Sequence, residues 1–170
     1  MGLFDMFKGD KGENQNGMTP HFAFATSLFY MMGADGEYDQ EELGQLLAVI
    51  GGEKKGGTVY IGGNNSDLLD RVTKYIRKNS IDQFLAEATP VLTDAQKMCI
   101  LVNLIDSSLS DGEAEREEQE LFGKFLNGFG ISEERFRPFF EVIVLKNDRS
   151  VFTNQNHTKN QAGYKVQLSV

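Results

Sequence analysis

The sequence predicts an all-α domain of about seven helices, internally duplicated, and three observations lead to that class. Apolar residues recur at three- and four-residue spacing through most of the stretch from 19 to 146. Capping boxes or a proline open these periodic runs, and glycines close several of them. One helix, acidic turn, helix unit occurs twice: Ala34-Asp35-Gly36-Glu37-Tyr38-Asp39-Gln40-Glu41-Glu42 returns 76 residues later as Ser110-Asp111-Gly112-Glu113-Ala114-Glu115-Arg116-Glu117-Glu118. The pairs Leu46/Phe122, Val49/Phe125 and Ile50/Leu126 keep the same offset, so the symmetry extends beyond the turn.

Residues 1–18 form an apolar N-terminal segment and a polar linker, 19–146 the helical domain, and 147–170 a polar tail. The opening Gly2-Leu3-Phe4-Asp5-Met6-Phe7-Lys8 has the pattern of a short helix that folds back on its own domain, or docks on a partner or a membrane surface. Thr19 and Pro20 then start a helix with Phe22, Ala25, Phe29 and Met32 on one stripe, ending at Gly33. After the first acidic turn, Leu43, Leu46, Leu47 and Ile50 make the inner face of the next helix. Residues 51–65 read as an excursion with at most one short extended segment, Thr58 to Ile61.

Helices resume at Asp67 to Arg77, capped by Asn65 or Ser66, and again after Ser80, whose box partner is Gln83, ending before Pro90. Thr93 and Gln96 open the most apolar helix, with Ala95, Met98, Cys99, Val102, Ile105 and Leu109 as its stripe and Leu101 and Leu104 at the margin; it should be central. The second acidic turn leads into Leu121, Phe122, Phe125, Leu126 and Phe129, stopped by Gly130. Ser132 caps a short helix, and Pro138 begins another through Leu145. Phe136, Phe139 and Phe140 are expected in the core rather than as a docking patch. The tail after Lys146 is expected to be disordered or a weak hairpin.

A net charge of -8, with 25 acidic and 17 basic residues and no basic stripe, argues against nucleic acid and for cations or basic protein surfaces. No run approaches the ~18 apolar residues of a membrane span. The opening segment lacks the basic and long apolar regions of a secretory signal. The single cysteine, Cys99, allows no internal disulfide and is expected to be buried and inert, which fits a reducing, cytoplasmic setting. His21 and His157 are isolated, so no nucleophile and base pair can be assembled; the expectation is no catalytic residue and no organic cofactor.

The acidic turns carry the functional signal. Oxygen ligands suit Ca2+ or Mg2+, and a glycine lets a turn aim several of them at one point. Asp35, Glu37, Asp39 and Glu42 in one copy, and Asp111, Glu113, Glu115 and Glu118 in the other, are the candidate ligands. With each glycine at the sixth position of an EF-hand loop, positions one and three fall on Met31 and Gly33 or on Ser107 and Leu109, which cannot supply the carboxylates; the turns are not EF-hands. Asp106, one helical turn before Asp111, is a further candidate. The plainer reading is that Glu42 and Glu118 cap their helices where the dipole favours negative charge.

Ala34-Asp35-Gly36 with Glu42, and Ser110-Asp111-Gly112 with Glu118, resemble the doubled signature of the TerB tellurite-resistance family, found also in the N-terminal domain of DjlA-type membrane co-chaperones. The resemblance spans about residues 19 to 137, includes Gly130-Ile131-Ser132 with Phe136, and extends to the Gly2-Leu3-Phe4-Asp5 opening. It implies a duplicated helical domain whose Asp35, Glu42, Asp111 and Glu118 form a metal-holding acidic cluster. It also implies protein partners in stress-response complexes at the inner membrane face. The 51–65 excursion and the tail fall outside the family pattern. The alternative is a metal-independent protein-interaction module using the acidic face.

Overall fold

A computed structural model describes residues 17–33, 53–55, 58–60, 63–109 and 115–169. Among them stand helices α1 (Pro20–Met32), α2 (Gly63–Ile76), α3 (Ile81–Ala88), α4 (Asp94–Ser108), α5 (Arg116–Phe129), α6 (Glu133–Asn147) and the single turn α7 (Ser150–Thr153). The fold class is helical as the periodicity requires. The helix expected from Leu43 to Ile50 lies outside the described residues, and with it the first half of the expected duplication.

Local chemistry fixes most helix ends. Thr19 Oγ1 accepts the Phe22 N–H at 3.2 Å, and Pro20 follows where no intrahelical donor is needed. Ser80 and Gln83 exchange hydrogen bonds at the head of α3, at 2.9 and 3.3 Å. Thr93 and Gln96 do the same for α4, at 2.8 and 3.2 Å. Gly130, at φ 68°, takes the left-handed conformation that closes α5, a position where any other residue would be strained.

Four expectations are corrected. The 51–65 excursion holds two strands rather than one extended segment, β1 (Glu53–Lys55) antiparallel to β2 (Thr58–Tyr60), with Glu53 opposite Tyr60 and Lys55 opposite Thr58. Gly56-Gly57 separates them in sequence, a pair that short hairpin connections favour. Helix α2 begins at Gly63, ahead of the expected Asn65 or Ser66 cap. Pro138 does not start a helix but sits inside α6, which runs unbroken from its Ser132 cap. Only one intrahelical bond is forgone there, the one Pro138 would have donated to Glu134, an exposed first-turn residue.

The fourth correction concerns the centre. Helix α1 packs against α2, α3, α4 and α5, whereas α4 packs against α1, α5 and α6. Nine α1 residues are buried, including Phe22, Ala25, Leu28, Phe29 and Met32, and a helix apolar on all sides belongs inside. Leu101 and Leu104, the margin of the expected α4 stripe, are fully buried and mark its true inner face, while Ala95 and Cys99 are exposed. Met98 and Ile105 of the expected stripe are buried as well, so the inner face is wider than that stripe.

An aromatic chain ties the helices together. Phe22 of α1 meets Tyr75 of α2 edge-on at 5.5 Å, Tyr75 meets Phe84 of α3 at 6.2 Å, and Phe84 meets Phe125 of α5 at 6.2 Å. Phe84 and Phe125 are wholly buried, each contributing about 1.5–3 kcal/mol by area, plus about 0.5–1.5 kcal/mol for an edge-to-face pair. Helices α3 and α5 approach closely: Thr89 Oγ1 donates to the Gly128 carbonyl at 2.9 Å, and a Cβ on Gly128 would meet Leu85 Cδ1 at 2.8 Å. Two ion pairs fasten α6 to α4, Arg135 with Asp94 at 2.5 Å and Lys146 with Asp106 at 2.5 Å.

The tail was expected to be disordered or a weak hairpin; its described residues, 147–169, carry a helical turn and a 3-10 turn and no strand. After α7, a 3-10 turn from Thr158 to Asn160 leads into a non-helical run back toward Glu141 of α6. Specific polar ties replace the missing apolar core: Lys159 Nζ donates to Asp148 at 2.6 Å, and Asn160 Nδ2 to the Val151 carbonyl at 2.6 Å.

Candidate functional site

The second acidic turn links α4 to α5. Helix α4 ends where the Leu109 N–H donates to the Ile105 carbonyl at 3.1 Å, and α5 starts after Glu115, whose extended backbone (φ -66°, ψ 160°) makes it the N-cap. Glu118 reaches back one turn, and its Oε2 accepts the Glu115 N–H at 2.8 Å. Glu117 and Glu118 thus lie in the first turn of α5, where unpaired N–H groups favour negative charge. Arg116 and Glu120 pair at 2.9 Å on the exposed face, an i,i+4 contact worth a few tenths of a kcal/mol.

Of the eight candidate ligands, Glu115 and Glu118 are described, and they come together as partners in this cap. Asp35, Glu37, Asp39, Glu42, Asp111 and Glu113 lie outside the described residues. Among the described residues no group of three or more His, Cys, Asp or Glu side chains is gathered as an ion requires.

Asp106 is removed from the candidate set. Its carboxylate accepts from Lys146 Nζ at 2.5 and 2.7 Å and from Asn147 Nδ2 at 2.9 Å. Burial raises its pKa, but the Lys146 ammonium and the Asn147 amide outweigh that and hold it below the usual carboxylate range. A carboxylate already neutralised by an ammonium is a poor ligand for a second cation. Asp106 instead belongs to the α4–α6 fastening.

His157 is not isolated. Its Nδ1 accepts the Lys159 N–H at 3.1 Å, which leaves the ring proton on Nε2, 3.6 Å from Asp148 Oδ2. Asp148 also accepts from Lys159 Nζ and from Ser150 Oγ, and these donors, with the nearby imidazole, hold its pKa down at about 2. The cluster of Asp148, Ser150, His157 and Lys159 escaped the sequence reading because its members share no helical or strand period; only their crowding into twelve residues of a polar tail hinted at it. The cluster is a fastening: Ser150 and His157 both meet Asp148 rather than each other. His21 is exposed at the second position of α1.

The expected burial of Cys99 and of two phenylalanines is also corrected. Cys99 faces solvent, its carbonyl accepting from Asn103 Nδ2 at 2.8 Å. Phe136 is buried against Phe122, with ring centroids 5.3 Å apart, but Phe139 and Phe140 are exposed, with Val142 between the α6 positions that pack inward. Tyr60 stands in β2 opposite Glu53. Among the described residues an open groove of about 680 Å3 lies between α3 and α5, floored by Leu85 and Gly128, and another of about 230 Å3 between α6 and the tail.

None of the described helices is long and apolar enough to cross a membrane. Compared with models of protein families, with curated proteins and with solved structures, the chain matches none.

Proposed function

We propose that this chain is a TerB-like helical binding and assembly module, cytoplasmic and without catalytic activity, whose paired acidic turns take a divalent cation in a stress or tellurite-resistance setting. The observation that carries the reading is the doubled Asp-Gly-Glu unit, each copy preceding an amphipathic segment. The place of the second copy in the chain supports it: it lies between α4 and α5, which pack against each other. Calcium suits such a site better than magnesium, because flexible carboxylate turns tolerate its larger and less regular coordination.

Melting with and without the ion tests this. An ion at a hundred times its dissociation constant stabilises the fold by about 2.7 kcal/mol. For a chain of this size that is a rise of roughly 5–10 °C. Millimolar calcium should produce the rise, magnesium a smaller one, and Asp111→Asn with Glu118→Gln should abolish it. Glutamine keeps an acceptor for the Glu115 N–H, so loss of the response reports the ion and not the cap. The second reading, a metal-independent module, is favoured by Glu118 serving as a cap and Asp106 as an ion-pair partner; melting indifferent to calcium and to chelator selects it.

A further inference from the structure

The last described residues lie along α6 in a way that the acidic turns do not require. Tyr164, Val166 and Leu168, at alternate positions, line one concavity with Phe140, Val144 and Leu145 of α6. At the far end Glu141 accepts both the Ser169 N–H, at 2.7 Å, and the Ser169 hydroxyl, at 2.5 Å. At the near end the run is tethered through Lys159 and Asp148, and Gly163, at φ 88°, makes the reversal that sends it back along the helix.

This seat is loosely filled. Tyr164, Val166 and Leu168 remain 49%, 56% and 42% exposed, and about 230 Å3 stays open between strap and helix. Phe140, at the edge of this seat, is itself 39% exposed. An open concavity under a half-exposed cover, with a carboxylate placed to take a backbone N–H and a side-chain donor together, has the anatomy of a peptide groove.

We propose that the α6 face is a docking groove for an extended segment of a protein partner, and that residues 164–169 are its resident occupant in cis. The segment it takes carries apolar side chains at alternate positions, as in Tyr164, Val166 and Leu168, followed by a hydroxyl residue for Glu141. Because the strap is covalently attached, its effective concentration is of millimolar order, so a partner must bind more tightly than the strap does to displace it.

The test uses the full chain and a labelled peptide of residues 161–170. Tyr164→Ser, Val166→Ser and Leu168→Ser together empty the groove without touching a buried residue. Fluorescence anisotropy should show this variant binding the peptide at least tenfold more tightly than the unaltered chain does. Adding Glu141→Ala should reverse most of that gain. Equal, negligible binding by both chains overturns the proposal. So does a dimer with exchanged straps in sedimentation of the unaltered chain, which would make the occupant a second copy. Hydrogen exchange on the unaltered chain is the independent measure: the Ser169 amide should exchange at least tenfold faster than the central amides of α6, and joint exchange would show a fixed part of the fold instead.

Discussion

Two glycines on one helix should respond to the same substitution with opposite signs. Gly123 and Gly128 both lie within α5, where alanine is favoured over glycine by about 1 kcal/mol. A Cβ on Gly123 meets nothing within 4 Å, so Gly123→Ala should realise that gain, raising the melting temperature by about 2–4 °C. A Cβ on Gly128 would lie 2.8 Å from Leu85 Cδ1, 3.0 Å from Cδ2 and 3.1 Å from Cβ. Leu85 is buried, and its Cβ cannot swing away, so α3 and α5 must part; overpacking of this kind costs about 1–3 kcal/mol. The two variants should therefore differ by about that amount in urea unfolding, with Gly128→Ala neutral to destabilising by about 2 kcal/mol. In a Leu85→Ala background the difference should shrink, because Cδ1 and Cδ2 are gone and only the 3.1 Å approach of the retained Cβ is left. If Gly128→Ala stabilised the protein as much as Gly123→Ala, the close approach of the two helices would be wrong.

Thr26 is fully buried in α1, and its hydroxyl finds no partner among the described residues. Thr26→Val keeps the shape and removes the stranded group, so it should stabilise by roughly 1 kcal/mol in the same unfolding experiment; a loss of stability would reveal a partner for the hydroxyl. Asp148 titrates near 2 in the fold against an ordinary value of 3.8, so its contribution is complete above about pH 4 and disappears as the pH falls toward 2. Protection of amides 157–169, measured against their intrinsic exchange rate, should fall over that interval, and Asp148→Asn should produce the loosened tail at neutral pH; a tail equally protected in that variant would refute the clamp.

The helical domain was legible because its signals are local. Thr19-Pro20, Ser80 with Gln83, Thr93 with Gln96, and Gly130 each act within one helical turn, and each does in the structure what its side chain predicts. The inner face of α4 was misread because Leu101 and Leu104 are fully buried, and periodicity within one helix does not report how many neighbours it has. The same blindness hid the exposure of Cys99, Phe139 and Phe140. The polar clamp on Asp148 was illegible for a different reason: its members meet through a turn and obey no period. At the candidate site, the capping role of Glu118 was readable from its spacing to Glu115, but the engagement of Asp106 by Lys146, 40 residues away, was not.

The all-round burial of α1 has a consequence for how the chain is made. Its neighbours α2, α3, α4 and α5 all follow it in sequence, and the last of them ends roughly 100 residues later. At translation rates of about 5–20 residues per second, the ribosome needs some 5–20 s to supply that cover. For that interval the thirteen-residue apolar segment lacks the cover that these helices give it, which makes it a natural point of engagement for a holding chaperone during synthesis.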